Sequence, residues 1–182
     1  MSSALVPLAQ GCEELEAITI TDLLTRAGIV VTTCGLDSRP VKASRGTTII
    51  PDTTIEHVLN NSYDLIVLPG GLPGADHLRD NQQLQSMIRK QATDDRYIAA
   101  ICAAPKALAA AGVLQGRTAT SYPGVLAALD DDSITVSEHA IEIDGNIITS
   151  RGPGTAMDFA LKLIEILEGV EKSDEINQQL VR

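Results

Sequence analysis

Tyr97-Ile98-Ala99-Ala100-Ile101-Cys102-Ala103-Ala104-Pro105 is the stretch whose reading decides the fold. Its first five residues are apolar without polar alternation, the pattern of a strand covered on both faces, and therefore of a parallel sheet. Proline suits the first turn of a helix, so residues 105–111, rich in alanine and followed by Gly112, read as a helix. Cys102 then stands on a tight strand-to-helix turn.

The same alternation of short aliphatic runs and longer helical segments extends outward in both directions, as in repeated βαβ units. Upstream, residues 64–68 form a strand that runs directly into Pro69-Gly70-Gly71, and residues 81–92 a helix. Residues 4–8 are the first strand. Residues 13–27 form a helix with Leu15, Ile18, Leu23 and Leu24 along one broad stripe and Gly28 at its C-terminal cap, and residues 29–34 the second strand. Residues 41–50 are split by Ser44-Arg45-Gly46 into a hairpin-like excursion, followed by a short helix over 54–59. Downstream come short strands near 117–120, 134–136 and 147–150 and a short helix over 125–129. Arg151-Gly152-Pro153-Gly154 turns the chain into an amphipathic helix with Met157, Ala160, Leu161, Ile164 and Leu167 on one face, and residues 171–180 close as a polar helix. No linker, repeat or low-complexity segment divides the chain, so one domain over residues 1–182 is expected.

A chain of 182 residues with 44% hydrophobic content is long enough to bury roughly 70% of its unfolded surface. With no Trp and one Phe, there is little on which nucleic-acid bases could stack. A net charge of -10 repels phosphate backbones and anionic lipid, so neither nucleic acid nor membrane is expected as a partner. Three cysteines do not read as a disulfide framework, and the first eleven residues carry no basic leader; the expected location is cytoplasmic.

Ligands of open parallel sheets bind beyond the carboxyl ends of the strands, which singles out the turns after residues 8, 68 and 101. Small residues on both sides of Cys102 resemble a nucleophile elbow, where a helix N-terminus favours thiolate and lowers the thiol pKa. A buried structural cysteine fits the same spacing. Gly70-Gly71 is either a simple tight turn or a pair of unobstructed N–H donors for an oxyanion. Glu13 and Glu16 share one face of the first helical turn, where solvated carboxylates are also common. Cys12, expected at the same sheet edge as Cys102, is either a modulatory thiol or an inert loop cysteine, and Cys34 is expected to be buried. His57, His77 and His139 lack metal-ligand spacing, and no phosphate-loop or dinucleotide motif is present, so no metal or cofactor is expected.

Pro69-Gly70-Gly71, Ala100-Ile101-Cys102-Ala103-Ala104-Pro105 and Thr149-Ser150-Arg151-Gly152-Pro153-Gly154-Thr155 together resemble the ThiJ/PfpI superfamily, and within it the YajL-like branch that includes the human Parkinsonism-associated protein deglycase. The resemblance implies a flavodoxin-like, class I glutamine amidotransferase-like fold: a doubly wound, mostly parallel sheet with helices on both faces. It also implies a homodimer. At the site it implies Cys102 as the reactive thiol, Glu16 as the carboxyl beside it, and Gly71 and Ala103 as backbone N–H donors. Arg45 and the Gly152-Pro153 segment match residues lining the pocket. Tyr122 stands where a relative carries histidine, and a tyrosine hydroxyl is a poor base near neutrality, so a Cys-Glu pair is expected instead of Cys-His. Ala103 stands where peptidase-like members place histidine, which disfavours proteolysis. The function so implied is a protein deglycase or cofactor-independent glyoxalase acting on methylglyoxal, glyoxal and their early adducts on protein side chains. In that enzyme Cys102 is the nucleophile and Glu16 the proton relay, with Glu16 expected to be protonated when Cys102 is anionic; the alternative is a redox-sensing chaperone of the oxidative-stress response whose Cys102 is oxidised to sulfinate.

Overall fold

Three apolar runs, residues 4–8, 65–68 and 97–101, end up side by side at the centre of the molecule, and their position follows from their composition. The computed structural model describes residues 1–182. Its elements, in chain order, are β1 (Ser3–Leu8), α1 (Glu14–Arg26), β2 (Val30–Gly35), β3 (Val41–Lys42), β4 (Thr48–Ile49), β5 (Thr53–Thr54), α2 (Ile55–Val58), β6 (Leu65–Leu68), α3 (Gly74–Asp80) and α4 (Gln82–Thr93). There follow β7 (Tyr97–Ile101), α5 (Pro105–Ala110), β8 (Thr118–Thr120), β9 (Thr135–Ser137), β10 (Ile141–Asp144), β11 (Ile147–Ser150), α6 (Ala156–Glu168) and α7 (Val170–Gln179). Seven strands form one sheet in the order β10-β11-β7-β6-β1-β2-β5. Every pairing is parallel except β10 with β11 at one edge. The chain reverses direction across the sheet between β1 and β6, so the turns leaving those strands flank the crevice where such folds bind ligands.

The period of two along each central strand sorts side chains cleanly between faces. Ala4, Val6 and Leu8 of β1, Leu65 and Val67 of β6, and Ala99 and Ile101 of β7 meet α1, α6 and α7. Leu5, Ile66, Leu68, Ile98 and Ala100 point the other way, onto α2, α4 and α5. The doubly wound, mostly parallel sheet expected from the sequence is the architecture found, and no helix is long and apolar enough to cross a membrane.

Several details differ from the sequence reading. Leu15 and Ile18 lie on the outward face of α1, each 49% exposed, and the inward stripe is Ala17, Ile20, Leu23 and Leu24 with Glu16 among them. Met157 is likewise half exposed, while Phe159, Ala160, Leu163 and Ile164 carry the buried face of α6. The helix α3 and the strands β5 and β10 were not foreseen. Around residues 125–129 there is only a single 3-10 turn, Ala127–Leu129. The strands near 118 and 135 pair with each other in parallel and stand apart from the main sheet. On the opposite edge, β5 covers β2 over two residues only, Cys34 with Thr53 and Gly35 with Thr54. Just before them the Asp52 carboxylate accepts the Thr33 N–H at 2.8 Å and its hydroxyl at 2.7 Å.

Phe159, the sole phenylalanine, is wholly buried between α6 and the sheet. Truncating it removes a large apolar volume that the surrounding aliphatic core cannot refill, so Phe159→Ala should cost about 3–5 kcal/mol of unfolding free energy. Met157→Ala, two residues earlier on the exposed side, should cost no more than about 1 kcal/mol. Urea titration of the two variants measures both, and equal losses would show that α6 is seated differently.

Candidate active site

Cys102 leaves β7 in a left-handed backbone conformation, with φ of 63°. For a residue with a Cβ this costs on the order of 1–2 kcal/mol, so the surroundings must hold it in place. They do so through the main chain. The Cys102 N–H donates to Ser150 O at 3.0 Å, the Tyr122 N–H donates to Cys102 O at 2.8 Å, and the Ala104 N–H donates to Ile101 O at 3.0 Å. β11 and the segment after β8 thereby fix the peptide groups on either side of the thiol.

The turn after β6 approaches from the next strand, and only glycine permits the approach. A Cβ on Gly70 would stand 2.6 Å from the Cys102 Cβ and 2.8 Å from Ile101 O. Gly71, with φ of +87°, has the backbone N of Glu13 2.3 Å from where its Cβ would be. With both side chains absent, the N–H groups of Gly71 and Ala103 lie close enough to the Cys102 sulfur to favour its thiolate. The Gly70 N–H donates to Glu16 Oε2 at 2.8 Å, and the Glu13 N–H to Gly70 O at 2.9 Å. Three turns, after β1, β6 and β7, are thus tied into one rigid cluster.

Glu16 is fully buried, and its Oε1 has no well-directed hydrogen bond. The thiol of Cys102 lies near enough to couple to its titration. Burial pushes the Glu16 carboxyl up to about 7, against the opposing hydrogen bonds from the Gly70 N–H and the Cys102 thiol. Burial and then the negative charge of Glu16 push the Cys102 thiol up to about 12, with the Gly71 and Ala103 N–H groups pulling the other way. This corrects the expectation of an acidic thiol. The helix α5 begins only at Pro105, and the cost of removing the sulfur from water outweighs the two N–H donors. Below about pH 7 both groups hold their protons; above it Glu16 is ionised while the proton stays on sulfur, and protonating Glu16 removes the charge that opposes a thiolate.

The sulfur opens onto a cavity of about 250 Å³ whose wall includes Arg45, Gly71, Cys102, Ala103, Tyr122 and Pro153. Glu16 and Gly152 lie outside its wall: Glu16 is buried beside Cys102, and Gly152 backs onto the Tyr122 ring, 3.4 Å from where its Cβ would be. The structure therefore gathers all eight residues singled out for the site. Glu13, Ser44, Leu72 and Val125 also line the cavity. Of these the sequence marks only Glu13 as a candidate for the site, as a carboxylate of the first helical turn. The Glu13 Oε2 accepts from the Ser44 hydroxyl at 3.0 Å and faces Arg45 Nε at 3.8 Å. Tyr122 is half exposed at the rim. Cys12 is completely buried and its thiol is pushed up to about 11, chiefly by burial. Cys34 is equally buried, its thiol pushed up to about 12. A cleft of about 290 Å³ near Leu36, His77 and Asp80 holds no nucleophile.

Raising the Glu16 carboxyl has a measurable effect on stability. From its usual value near 4.5 up to about 7, the unfolded chain has released a proton that the folded one keeps. Stability therefore falls as pH rises through that window, by about 3 kcal/mol in all. Urea unfolding of wild type and Glu16→Gln at pH 5 and pH 8 isolates this contribution. The wild type should lose about 3 kcal/mol more than the variant between the two conditions, and parallel behaviour of the two would place Glu16 in contact with water.

The sequence profile of the DJ-1/PfpI family matches residues 2–166. Protein dj-1beta of Drosophila melanogaster is 46% identical over 180 residues, covering 98% of this chain and 96% of that protein. Its crystal structure superposes with a TM-score of 0.96 at 45% identity, over 100% of this chain and 98% of that one. The glutathione-independent glyoxalase DJR-1.2 of Caenorhabditis elegans is 36% identical over 179 residues, 98% of this chain and 95% of that protein. Toxoplasma gondii DJ-1, solved in an oxidised form, superposes with a TM-score of 0.94 at 39% identity, over 100% of this chain and 98% of that one. With its sheet order, its glycine-flanked cysteine turn and near full-length similarity to these proteins, this chain belongs to the DJ-1/PfpI family.

Proposed function

We propose that this protein is a cysteine-dependent, cofactor-independent glyoxalase and deglycase that converts α-oxoaldehydes, free or as early adducts on amino, guanidino or thiol groups, into 2-hydroxy acids. The observation that carries this reading is the thiol of Cys102, held on a left-handed turn at a cavity of about 250 Å³ beside the buried Glu16 carboxyl, with the Gly71 and Ala103 N–H groups favouring charge on the sulfur. A relative named as a glutathione-independent glyoxalase supports it.

In this mechanism the Glu16 carboxylate takes the thiol proton as the sulfur bonds to the aldehyde carbon, and the Gly71 and Ala103 N–H groups receive the charge that develops on oxygen. Transfer of that proton to the oxygen completes a hemithioacetal. Glu16 then removes the proton on the former aldehyde carbon, an enediol forms, and reprotonation at the adjacent carbon leaves a thioester of the 2-hydroxy acid. Water cleaves the thioester, and the proton returns to sulfur. The sum is aldehyde plus water to hydroxy acid, with no net oxidation. In an adduct, the bond to the amine, guanidine or thiol breaks as the sulfur takes its place. A resting thiol with a neighbouring base poised near 7 suits this sequence, because the proton moves only when an electrophile arrives.

The test is lactate formation from methylglyoxal in amine-free, glutathione-free buffer containing a chelator. Wild type should turn over and Cys102→Ser should not, while Glu16→Gln should lose about 10²–10⁴-fold. Because Glu16 must be ionised to act as base, kcat/KM should rise with pH through about 7 and then level. Turnover retained in Cys102→Ser would refute the reading. If instead no turnover occurs and peroxide adds two oxygen atoms to Cys102, the redox-sensing chaperone is the better account. That second reading is favoured by the oxidised state of the Toxoplasma relative and by the same N–H pair, which would hold sulfinate oxygens.

We also propose a homodimer, formed through the outward face of α1. Leu15 and Ile18 stand one turn apart there, each half exposed, an arrangement that gains by being covered. Sedimentation equilibrium should give a dimer for wild type and a monomer for Leu15→Glu/Ile18→Glu, and an unchanged mass would place the contact elsewhere.

A further inference from the structure

The tip of the β3–β4 hairpin carries Ser44 and Arg45 to the mouth of the Cys102 cavity; its internal bonds, Ala43 N–H to Thr47 O at 2.8 Å and Gly46 N–H to Ala43 O at 3.1 Å, shape the turn without fastening it to the rest of the site. Its base is tied to the β1–α1 turn by main-chain bonds, Gly11 N–H to Lys42 O at 2.7 Å and Ser44 N–H to Cys12 O at 2.8 Å. Ser44 is held from outside by the Cys12 carbonyl and the Glu13 carboxylate, but the main chain of Arg45 and Thr47 is held there by one side chain from another element. The Glu14 carboxylate, in the first turn of α1, accepts the Arg45 N–H at 3.0 and 3.1 Å and the Thr47 N–H at 3.1 Å, and lies 3.3 Å from the Ser44 hydroxyl. Glu14 does not itself line the cavity. These bonds outweigh the effect of its partial burial and hold its carboxyl down to about 2.

We propose that Glu14 is a positioning residue, clamping the hairpin tip so that the Arg45 guanidinium stays over the Cys102 cavity beside Glu13. The inference takes from the proposed function only that Cys102 is the group that reacts. Arg45, Gly46 and Thr47 are all exposed, so water can satisfy the N–H groups that Glu14 releases, and losing the clamp costs placement more than stability. The Arg45 side chain is mostly solvated, and its contact with Glu13 at 3.8 Å is too loose to hold the tip alone. Once the tip moves, the cavity mouth loses its one cation and keeps the Glu13 carboxylate.

The charge of an alkylating reagent reads this directly. The ratio of Cys102 alkylation rates by anionic iodoacetate and neutral iodoacetamide, followed on the Cys102 peptide, should fall by about threefold or more in Glu14→Gln. The sign is diagnostic. Removing a negative charge from an unmoved hairpin would raise the ratio. Glu14→Asp keeps the charge but withdraws the carboxylate by one methylene, so it too should lower the ratio, which charge alone cannot explain. Arg45→Ala should lower it by itself, and adding Glu14→Gln to that background should lower it no further. Thermal midpoints of the single variants should stay within a few degrees of wild type. A ratio that is unchanged or raised in both Glu14 variants would overturn the proposal, as would an equal further fall in the double variant. Because alkylation needs no aldehyde chemistry, failure of methylglyoxal turnover would leave this result standing and count only against the proposed reaction.

Discussion

The structure around Cys102 depends on a steric constraint, the contact between the Gly70 main chain and the Cys102 side chain. The two turns approach until a Cβ on Gly70 would lie 2.6 Å from that of Cys102, a distance that real carbon atoms do not adopt. Everything polar at the site follows from that approach. It brings the Gly71 N–H to the sulfur, the Gly70 N–H to Glu16 and the Gly70 carbonyl to the Glu13 N–H. The left-handed cysteine on the opposing turn is the complementary half of the same fit, since an ordinary β conformation would carry the chain straight on past the glycine. Backbone strain at one residue and the absence of side chains at two others are therefore parts of one arrangement.

Within that arrangement, burial and hydrogen bonding act in opposite directions on the same two groups. Taking the carboxyl and the thiol out of water favours their neutral forms, while three main-chain N–H groups favour the charged ones. Burial wins for both, so the pair holds one proton more readily than none. This makes the site slow to ionise by itself and responsive to an electrophile that consumes the sulfur's electron pair. A solvent-facing carboxylate in the same place would ionise freely but would hold water over the sulfur.

Much of the fold was legible because residues 65–68 and 97–101 are apolar without alternation, a pattern that only two-sided burial explains. The helix α3 escaped notice because Gly74-Ala75-Asp76-His77-Leu78-Arg79-Asp80 buries only Ala75 and Leu78 among its side-chain-bearing residues, too few for a period to show. The edge strand β10 does alternate, but both of its isoleucines are partly exposed, so nothing marked it as part of the sheet. Leu15 and Ile18 misled for the opposite reason: α1 has apolar residues on two faces, and periodicity cannot say which one meets the sheet. At the site, the strand-to-helix motifs and the family resemblance located the cysteine, the glycines and Glu16. Glu13 meeting Ser44 across thirty-one residues was not readable, because no local pattern encodes contact between a helix and a hairpin. The ionisation of the thiol is not readable either, since a helix start is visible in sequence and desolvation is not.

The short β5 leaves most of the outer edge of β2 without a neighbouring strand, and Asp52 occupies the first open position beyond the two paired residues. A second chain seeking to add itself to this sheet would need the Thr33 N–H, and a carboxylate already holds it. Such a chain would also bring its own carbonyls against a negative charge. The edge is thus guarded by charge as well as by coverage, a safeguard against intermolecular sheet growth. It matters in a domain whose central strands are among the most apolar and β-prone segments of its sequence, because any copy that opened at this edge would present them to its neighbours.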